Sequence, residues 1–217
     1  MKFVLSYSCG KDSTLALHKM IHEGHAPVGL LVMMNREMQR SWFHGVDMGL
    51  LNAISESLGI PLILCETSGE EYHIALENGL RIAMEKGAEI AVFGDIDIDD
   101  HLIWCRERCD AVGINSIFPL WRRNREEIVR EILSLGYKCI IKCVSNDKLP
   151  KDFLGKVLDG LVMKKMKDKD IDICGENGEY HTVVLDGPIF NKSIDYECLE
   201  TLNFGTVSAI NIVKTKI

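Results

Sequence analysis

Apolar runs of strand length alternate with segments of helical periodicity along the first two thirds of the chain, and this alternation limits the fold more than any other feature. "KFVLSYS" reads as a strand, "STLALHKMIHEG" as a helix ending at Gly24, and "VGLLVMMN" as a second strand. After a polar stretch through Trp42, "GVDMGLLNAISESLG" places apolar residues at helical spacing, "PLILCET" is a short strand, and "EEYHIALENGLRIAMEKG" is a helix closed by Gly87. The strand "EIAVFGDI", the helix "DHLIWCRERCDAVG", the strand-like "INSIFPLW", the helix "REEIVREILSLG" and the strand "KCIIKCVS" complete the series. Strands joined through helices pair in parallel, so the expected class is α/β: a parallel twisted sheet flanked by helices, with ligands at the carboxyl ends of its strands. After about Asn146 the rhythm changes. "FLGKVLDGLVMKKMKDKDID" is short helix and charge, and "CGENGEYHTVVLDGPIF" reads as loop, strand and turn. The expected organisation is therefore a sheet domain over residues 1–146 and a small C-terminal α+β element over 147–217.

Composition removes several function classes. With 217 residues, 47% hydrophobic and 26% charged, the chain buries a core and is not disordered. No run approaches the roughly 18 to 20 apolar residues of a membrane span, and Met1-Lys2 leads directly into a strand pattern, so no membrane association and a cytoplasmic location are expected. A net charge of −7 argues against a broad nucleic-acid surface, since such binding draws on neutralised phosphates. The basic stretches Arg122 to Arg125 and Lys164 to Lys169 read as solvated faces. Eight cysteines are spread over the length without a secretory context and read as buried thiols; Cys105 and Cys109 share a helix face, and Cys139 and Cys143 a strand face. His18, His22 and His25 read as a solvated helix end.

Chemistry begins at "SYSCGKDS", Ser6 to Ser13. A Walker A loop is excluded, because Leu5 stands where its first glycine belongs and Asp12 follows Lys11. What remains is a strand, a tight loop with Gly10 at the bend, and a helix start near Asp12-Ser13. Amides there, the helix dipole and Lys11 suit an anion, with Ser8 and Ser13 adding hydroxyl donors. Asp12 fits a phosphate site only with a magnesium ion between them, or as a helix cap. Spacing alone leaves a phosphate site and an ordinary βα turn equally open. The loop "GENGEYHT" is also two-sided. If Glu179-Tyr180-His181 is extended, Glu179 and His181 project to one face and could hold magnesium, orient a cation or take a proton; the other reading is a turn of Gly and Asn with solvated carboxylates.

"SCGKDS" resembles the PP-loop, Ser-Gly-Gly-x-Asp-Ser, of the N-type ATP pyrophosphatases, with Cys9 in place of the first glycine. "CGENGEYHT" at Cys174 to Thr182, followed by "DGPIF" at Asp186 to Phe190, is similar to the signature of the diphthine–ammonia ligase family within that superfamily. "GDI" at Gly94 to Ile96, "PLW" at Pro119 to Trp121 and "FLGKVLD" at Phe153 to Asp159 extend the resemblance over nearly the whole chain, in order. It implies an adenine nucleotide α-hydrolase-like (HUP) fold, with residues 1–146 as the PP-loop ATP-binding domain and 147–217 as the substrate-binding element.

The implied activity is ATP-dependent amidation through an acyl-adenylate, with release of AMP and pyrophosphate, and with ATP and Mg2+ as cofactors. The partners are a carboxylate acceptor (diphthine on an elongation factor, or a small molecule) and ammonia; a homo-oligomer stays open. "GDIDIDDHLIWCRERC" resembles the branch of the family found in organisms without diphthamide. Two alternatives are adenylation of a different small-molecule or RNA acceptor, and a non-catalytic ATP or AMP sensor. Carried onto this sequence, the resemblance implies that Ser8, Cys9, Gly10, Lys11, Asp12, Ser13, Met33 and Gly94 bind nucleotide, with Asp12 on the metal. It makes Lys11, Asp12, Glu176, Glu179 and His181 catalytic, and gives the substrate to Asp95, Asn177 and Tyr180. Trp42, Trp104 and Tyr180 could offer a face to a trimethylammonium group.

Overall fold

The computed structural model describes residues 1–215. In chain order the elements are β1 (Lys2–Ser6), α1 (Lys11–His22), β2 (Ala26–Asn35), β3 (Arg40–Ser41), α2 (Met48–Leu58), β4 (Leu62–Thr67), α3 (Tyr72–Glu85) and β5 (Ile90–Val92). Then follow α4 (Asp99–Val112), β6 (Asn115–Ile117), α5 (Arg125–Ser134), β7 (Cys139–Ser145), α6 (Gly160–Lys167), β8 (Tyr180–Val184), β9 (Tyr196–Phe204) and β10 (Val207–Lys214). They form two compact units. The first holds Met1–Ser8, Asp12–Trp42 and Leu58–Arg123; the second holds Cys9–Lys11, Phe43–Ser57 and Asn124–Ile217.

The first unit is the α/β layer that the alternation predicts. Parallel pairing joins β4 to β2, β2 to β1, β1 to β5 and β5 to β6, while the two-residue β3 turns back antiparallel on the end of β2. The central β2 is apolar along nearly its whole length and buried from Gly29 to Met34, as a strand covered on both faces must be. At the edge, β4 alternates: Ile63 and Cys65 are buried, Leu64 is exposed. α3 buries Leu76, Gly79, Leu80 and Ala83 at helical spacing; the three side chains pack in one cluster with Val4, Leu31, Ile63 and Cys65, and Gly79 lies against Cys65 and Leu31. Cys105 and Cys109 lie on the buried face of α4 in that same cluster, and α4 ends on Gly113 in the left-handed conformation. The chain moves outward from β1 to β2 and β4, then returns to the other side of β1 with β5 and β6. The reversal lies between β1 and β5, where an open parallel sheet forms its ligand crevice at the strands' carboxyl ends.

The second unit is an antiparallel sheet in the order β8-β7-β10-β9. Here the structure differs from two expectations. "KCIIKCVS", read as the last strand of the parallel series, is β7, and it pairs antiparallel with β8 and β10. A run buried from end to end identifies an interior strand without naming its sheet, and both edges of β7 are occupied, partly by the "FLGKVLD" segment through Ile141 N–H to Lys156 O and Leu158 N–H to Cys139 O. Cys139 and Cys143 do not share a face. A bulge between Ile141 and Cys143 shifts the register, so Cys139 stands opposite Val184 and Cys143 opposite His181 on the other face. Lys142, at that bulge, is 1% exposed and donates from Nζ to the Ile210 carbonyl at 2.6 Å. The β9–β10 hairpin has no counterpart in the sequence reading, because β9 is exposed along nearly its whole length and lacks an apolar alternation. Its two-residue turn opens on Gly205 at φ +76°. No helix among the described residues is long and apolar enough to cross a membrane.

Candidate active site

The PP-loop-like segment is divided between the units: Ser8, Asp12 and Ser13 belong to the first, Cys9, Gly10 and Lys11 to the second. In the first unit the end of β1 is stitched to the first turn of α1. Ser8 Oγ lies 3.1 Å from Ser13 Oγ, and Tyr7 OH lies 3.3 Å from Thr14 Oγ1. α1 begins at Lys11 with Asp12 in its first turn, which puts the positive end of the helix dipole at the loop. Gly94, just past β5, packs so closely that a Cβ there would stand 2.9 Å from the Ser13 nitrogen and 3.0 Å from the Asp12 carbonyl carbon. Only glycine lets the backbone after β5 approach the helix start.

Asp95 follows, partly buried, its Oδ1 3.4 Å from Nδ1 of His101. Met33 is different in kind: its side chain is buried in the core cluster and its carbonyl accepts the Trp42 N–H at 3.0 Å, so any nucleotide contact there falls to neighbouring backbone. Trp42, Tyr72 and Trp104 pack side by side, with centroids 5.9 Å and 6.0 Å apart, and the Arg108 guanidinium lies over Trp104. Those rings are used in packing.

In the second unit, the outer edge of β8 takes up residues 9–11. Val184 N–H donates to the Cys9 carbonyl at 2.8 Å, and Lys11 N–H donates to Thr182 Oγ1 at 3.0 Å. An open strand edge is thereby closed by the loop. Cys9 has φ +67° and is fully buried, so the position requires the left-handed backbone that glycine supplies in the family loop. Burial raises the Cys9 thiol well above its ordinary range, which keeps it protonated and unreactive. Lys11 is 4% exposed, and its ammonium stands 5.7 Å above the Tyr180 ring. Tyr180 is itself buried and donates its hydroxyl to the Ile173 carbonyl. Its ring face serves Lys11.

The loop before β8 is organised by Asp172. That carboxylate accepts from the N–H groups of Cys174 (2.9 Å) and Glu176 (3.2 Å) and pairs with Arg125 at 2.6 Å. Gly175, at φ +75°, lies against Tyr180, where a Cβ would come within 2.9 Å of the carbonyl oxygen. Glu179 is buried, and Asn177 donates to both its oxygens, from the backbone N–H at 3.1 Å and from Nδ2 at 3.2 Å. Asn177 thus orients Glu179. Arg125, part of the basic stretch read as a solvated face, also donates to Asn177 Oδ1.

His181 faces a residue that the sequence reading passed over. His44, in the polar stretch after β3, lies with its ring 4.7 Å from that of His181 and its Nδ1 2.7 Å from the Thr182 carbonyl. Burial, reinforced by the Lys11 charge, lowers His181 to about 4. Burial, then His181, with Lys11 and Lys142 adding, holds His44 well below the usual imidazole value. Two neutral imidazoles therefore stand beside a lysine. His44 carries no periodic or motif signal, whereas Arg125 and Asp172 are visible in the sequence only as members of charged stretches, without a partner.

The arrangement offers backbone and lysine donors for an anion, a carboxylate oriented by amides, and imidazole acceptors. Comparison with known proteins agrees on the family. Residues 1–116 match the diphthamide synthase N-terminal domain, and residues 124–217 match the diphthamide synthase C-terminal domain. The chain is 26% identical to the diphthine–ammonia ligase of Danio rerio over 93% of its length and 89% of that protein. It is 34% identical to the diphthine–ammonia ligase of Schizosaccharomyces pombe over 89% of its length, spanning 36% of that longer protein. A solved structure described as a predicted subunit of tRNA methyltransferase from Methanocaldococcus jannaschii aligns with 89% of this chain and 100% of that chain, at TM-score 0.43 and 15% identity. With both domain families matched in order along the chain, the protein belongs to the diphthamide synthase family.

Proposed function

We propose that the protein is an ATP-dependent carbon–nitrogen ligase that amidates the carboxylate of diphthine with ammonia. It does so through an acyl-adenylate, with release of AMP and pyrophosphate. The observation that carries this reading is the match of both diphthamide synthase domains, one after the other, over nearly the whole chain. The alternatives of an RNA acceptor or a sensor without turnover are not favoured, since the matched relatives are ligases.

The chemistry needs two anions, a carboxylate and a triphosphate, to meet. Lys11, Gly10, Ser8, Ser13 and the start of α1 hold the pyrophosphate that departs. Gly94 keeps the backbone close to that helix start, and neighbouring backbone along β2 receives the adenine. Asp12 offers a hard oxygen of the kind magnesium takes, and would hold that ion, which screens phosphate charge when bound. Glu176, Glu179 and His181 act at the acyl centre, with Asn177 fixing Glu179 and Asp95 contacting the acceptor. The acceptor is carried on an elongation factor, and the cytoplasm is where the two meet.

The test is incubation with ATP, magnesium, ammonium and diphthine-bearing elongation factor, assaying AMP and pyrophosphate separately from ADP and phosphate. Acceptor-dependent AMP and pyrophosphate are expected. Lys11→Ala should lower kcat/KM by about 10²–10³, the size of losing one electrostatic donor. ADP as product, or full activity in that variant, would overturn the reading.

A further inference from the structure

We propose that His44 is the proton acceptor for the nitrogen nucleophile in the amide-forming step. The inference rests on the ligase reading above and deepens it. A carbonyl oxygen only accepts, so the 2.7 Å approach of His44 Nδ1 to the Thr182 carbonyl fixes the proton on Nδ1 and leaves the lone pair on Nε2. Among the described residues no protein group hydrogen-bonds that Nε2, and none hydrogen-bonds the ring of His181 beside it. Neither residue is sealed from solvent as a whole, although both rings are largely desolvated. Thr182 links this pair to the loop, because its hydroxyl accepts the Lys11 N–H while its carbonyl holds His44.

The charged and titratable groups around His44 are His181 on β8, Lys11 at the start of α1, and Lys142 and Cys143 on β7. The two lysines oppose a third cation. The Cys143 thiol, raised to about 11 by burial, donates to the Phe43 and His44 carbonyls and contributes no negative charge. The environment therefore favours an imidazole that receives a proton transiently over one that stays charged as an anion binder. In the step, the ammonia lone pair forms the C–N bond at the acyl carbon of the adenylate. His44 Nε2 takes one proton from that nitrogen, the C–O bond to AMP breaks with its electron pair leaving on AMP, and the imidazolium returns the proton to solvent. Amide, AMP and one proton result.

His44→Asn tests this in the full chain, because the asparagine amide nitrogen can occupy the place of Nδ1 and keep the bond to Thr182 while Nε2 is lost. Acceptor-dependent ATP–pyrophosphate exchange reports adenylation; amide formation reports the second step. Amide formation should fall about 10²-fold or more beyond any fall in exchange, the size expected for a lost general base. Hydroxylamine, a less basic amine that gives up its proton more readily, should recover most of that loss. Parallel losses in exchange and amide formation would mean that the pair serves the phosphates, and would overturn the proposal while leaving the ligase reading intact. If the unaltered protein shows no acceptor-dependent exchange, the ligase reading falls and this one with it. Nitrogen-15 NMR of the unaltered protein gives an independent check: at pH 7 His44 should show a protonated Nδ1 and a bare Nε2, and the opposite tautomer or an imidazolium would overturn the assignment.

Discussion

At Cys9 the backbone sits at φ +67°, where a residue with a Cβ costs about 1–2 kcal/mol relative to glycine. The side chain recovers some of that through burial, and the carbonyl is held by Val184. Cys9→Gly should therefore leave stability within about 1 kcal/mol and retain ATP cleavage. Cys9→Val, whose branched Cβ fits that region worst, should destabilise by about 2 kcal/mol or more, read as a lower urea midpoint. The unaltered thiol should resist iodoacetamide at pH 8 until the chain unfolds. His181 makes a pH prediction. Its folded value, about 4, lies below the ordinary 6.5, so the unfolded chain takes up its proton first as pH falls. The stability is fully present above about pH 6.5 and is lost progressively down to about pH 4, by up to about 3 kcal/mol. His181→Gln should reduce the change of urea midpoint across that window, with His44 supplying what remains, and an unchanged slope would show that the ring is not buried neutral.

The elements divide into those whose pattern is local and those whose pattern comes from partners. β1, β2, α3 and α4 were legible because their apolar spacing is set by the faces they bury, and Gly113 and Gly87 mark helix ends in the chain itself. The sheet to which β7 belongs was not legible, since burial on both faces looks alike in parallel and antiparallel surroundings. β9 was missed because a strand exposed on both faces leaves no alternation to read. The site shows the same split. Lys11, Asp12 and the Glu176 to His181 run were found as contiguous motifs, whereas Asp172, Arg125 and His44 matter through partners distant in sequence: Arg125 reaches Asp172 at 2.6 Å, and His44 meets Thr182. The loop before β8 gives a test at this scale. Gly175→Ala adds a Cβ at φ +75° and 2.9 Å from the Tyr180 carbonyl, so it should shift Tyr180 from beneath Lys11. The expected readout is a weaker ATP affinity with a lowered unfolding midpoint; normal affinity would mean that the loop is not a support for Lys11.

At the scale of the molecule, neither unit is a continuous stretch of chain: residues 9–11 and 43–57 belong with the C-terminal sheet although they lie far from it in sequence. A fragment of residues 124–217 therefore leaves the outer edge of β8 without its Cys9 and Lys11 contacts and His181 without His44. It should show shallow, non-cooperative melting, and adding a fragment of residues 1–123 should restore the sharp transition of the whole protein. Cooperative melting of the 124–217 fragment alone, at the full-length midpoint, would contradict the division. The same interleaving has a consequence for heredity. A single crossover between two related genes, placed anywhere from codon 12 to codon 123, joins a loop shaped by one lineage to a β8 edge shaped by another. A crossover before codon 44 parts only the lysine from the threonine, and one after it parts the two histidines as well, so a chimera joined in that interval should melt below both parents.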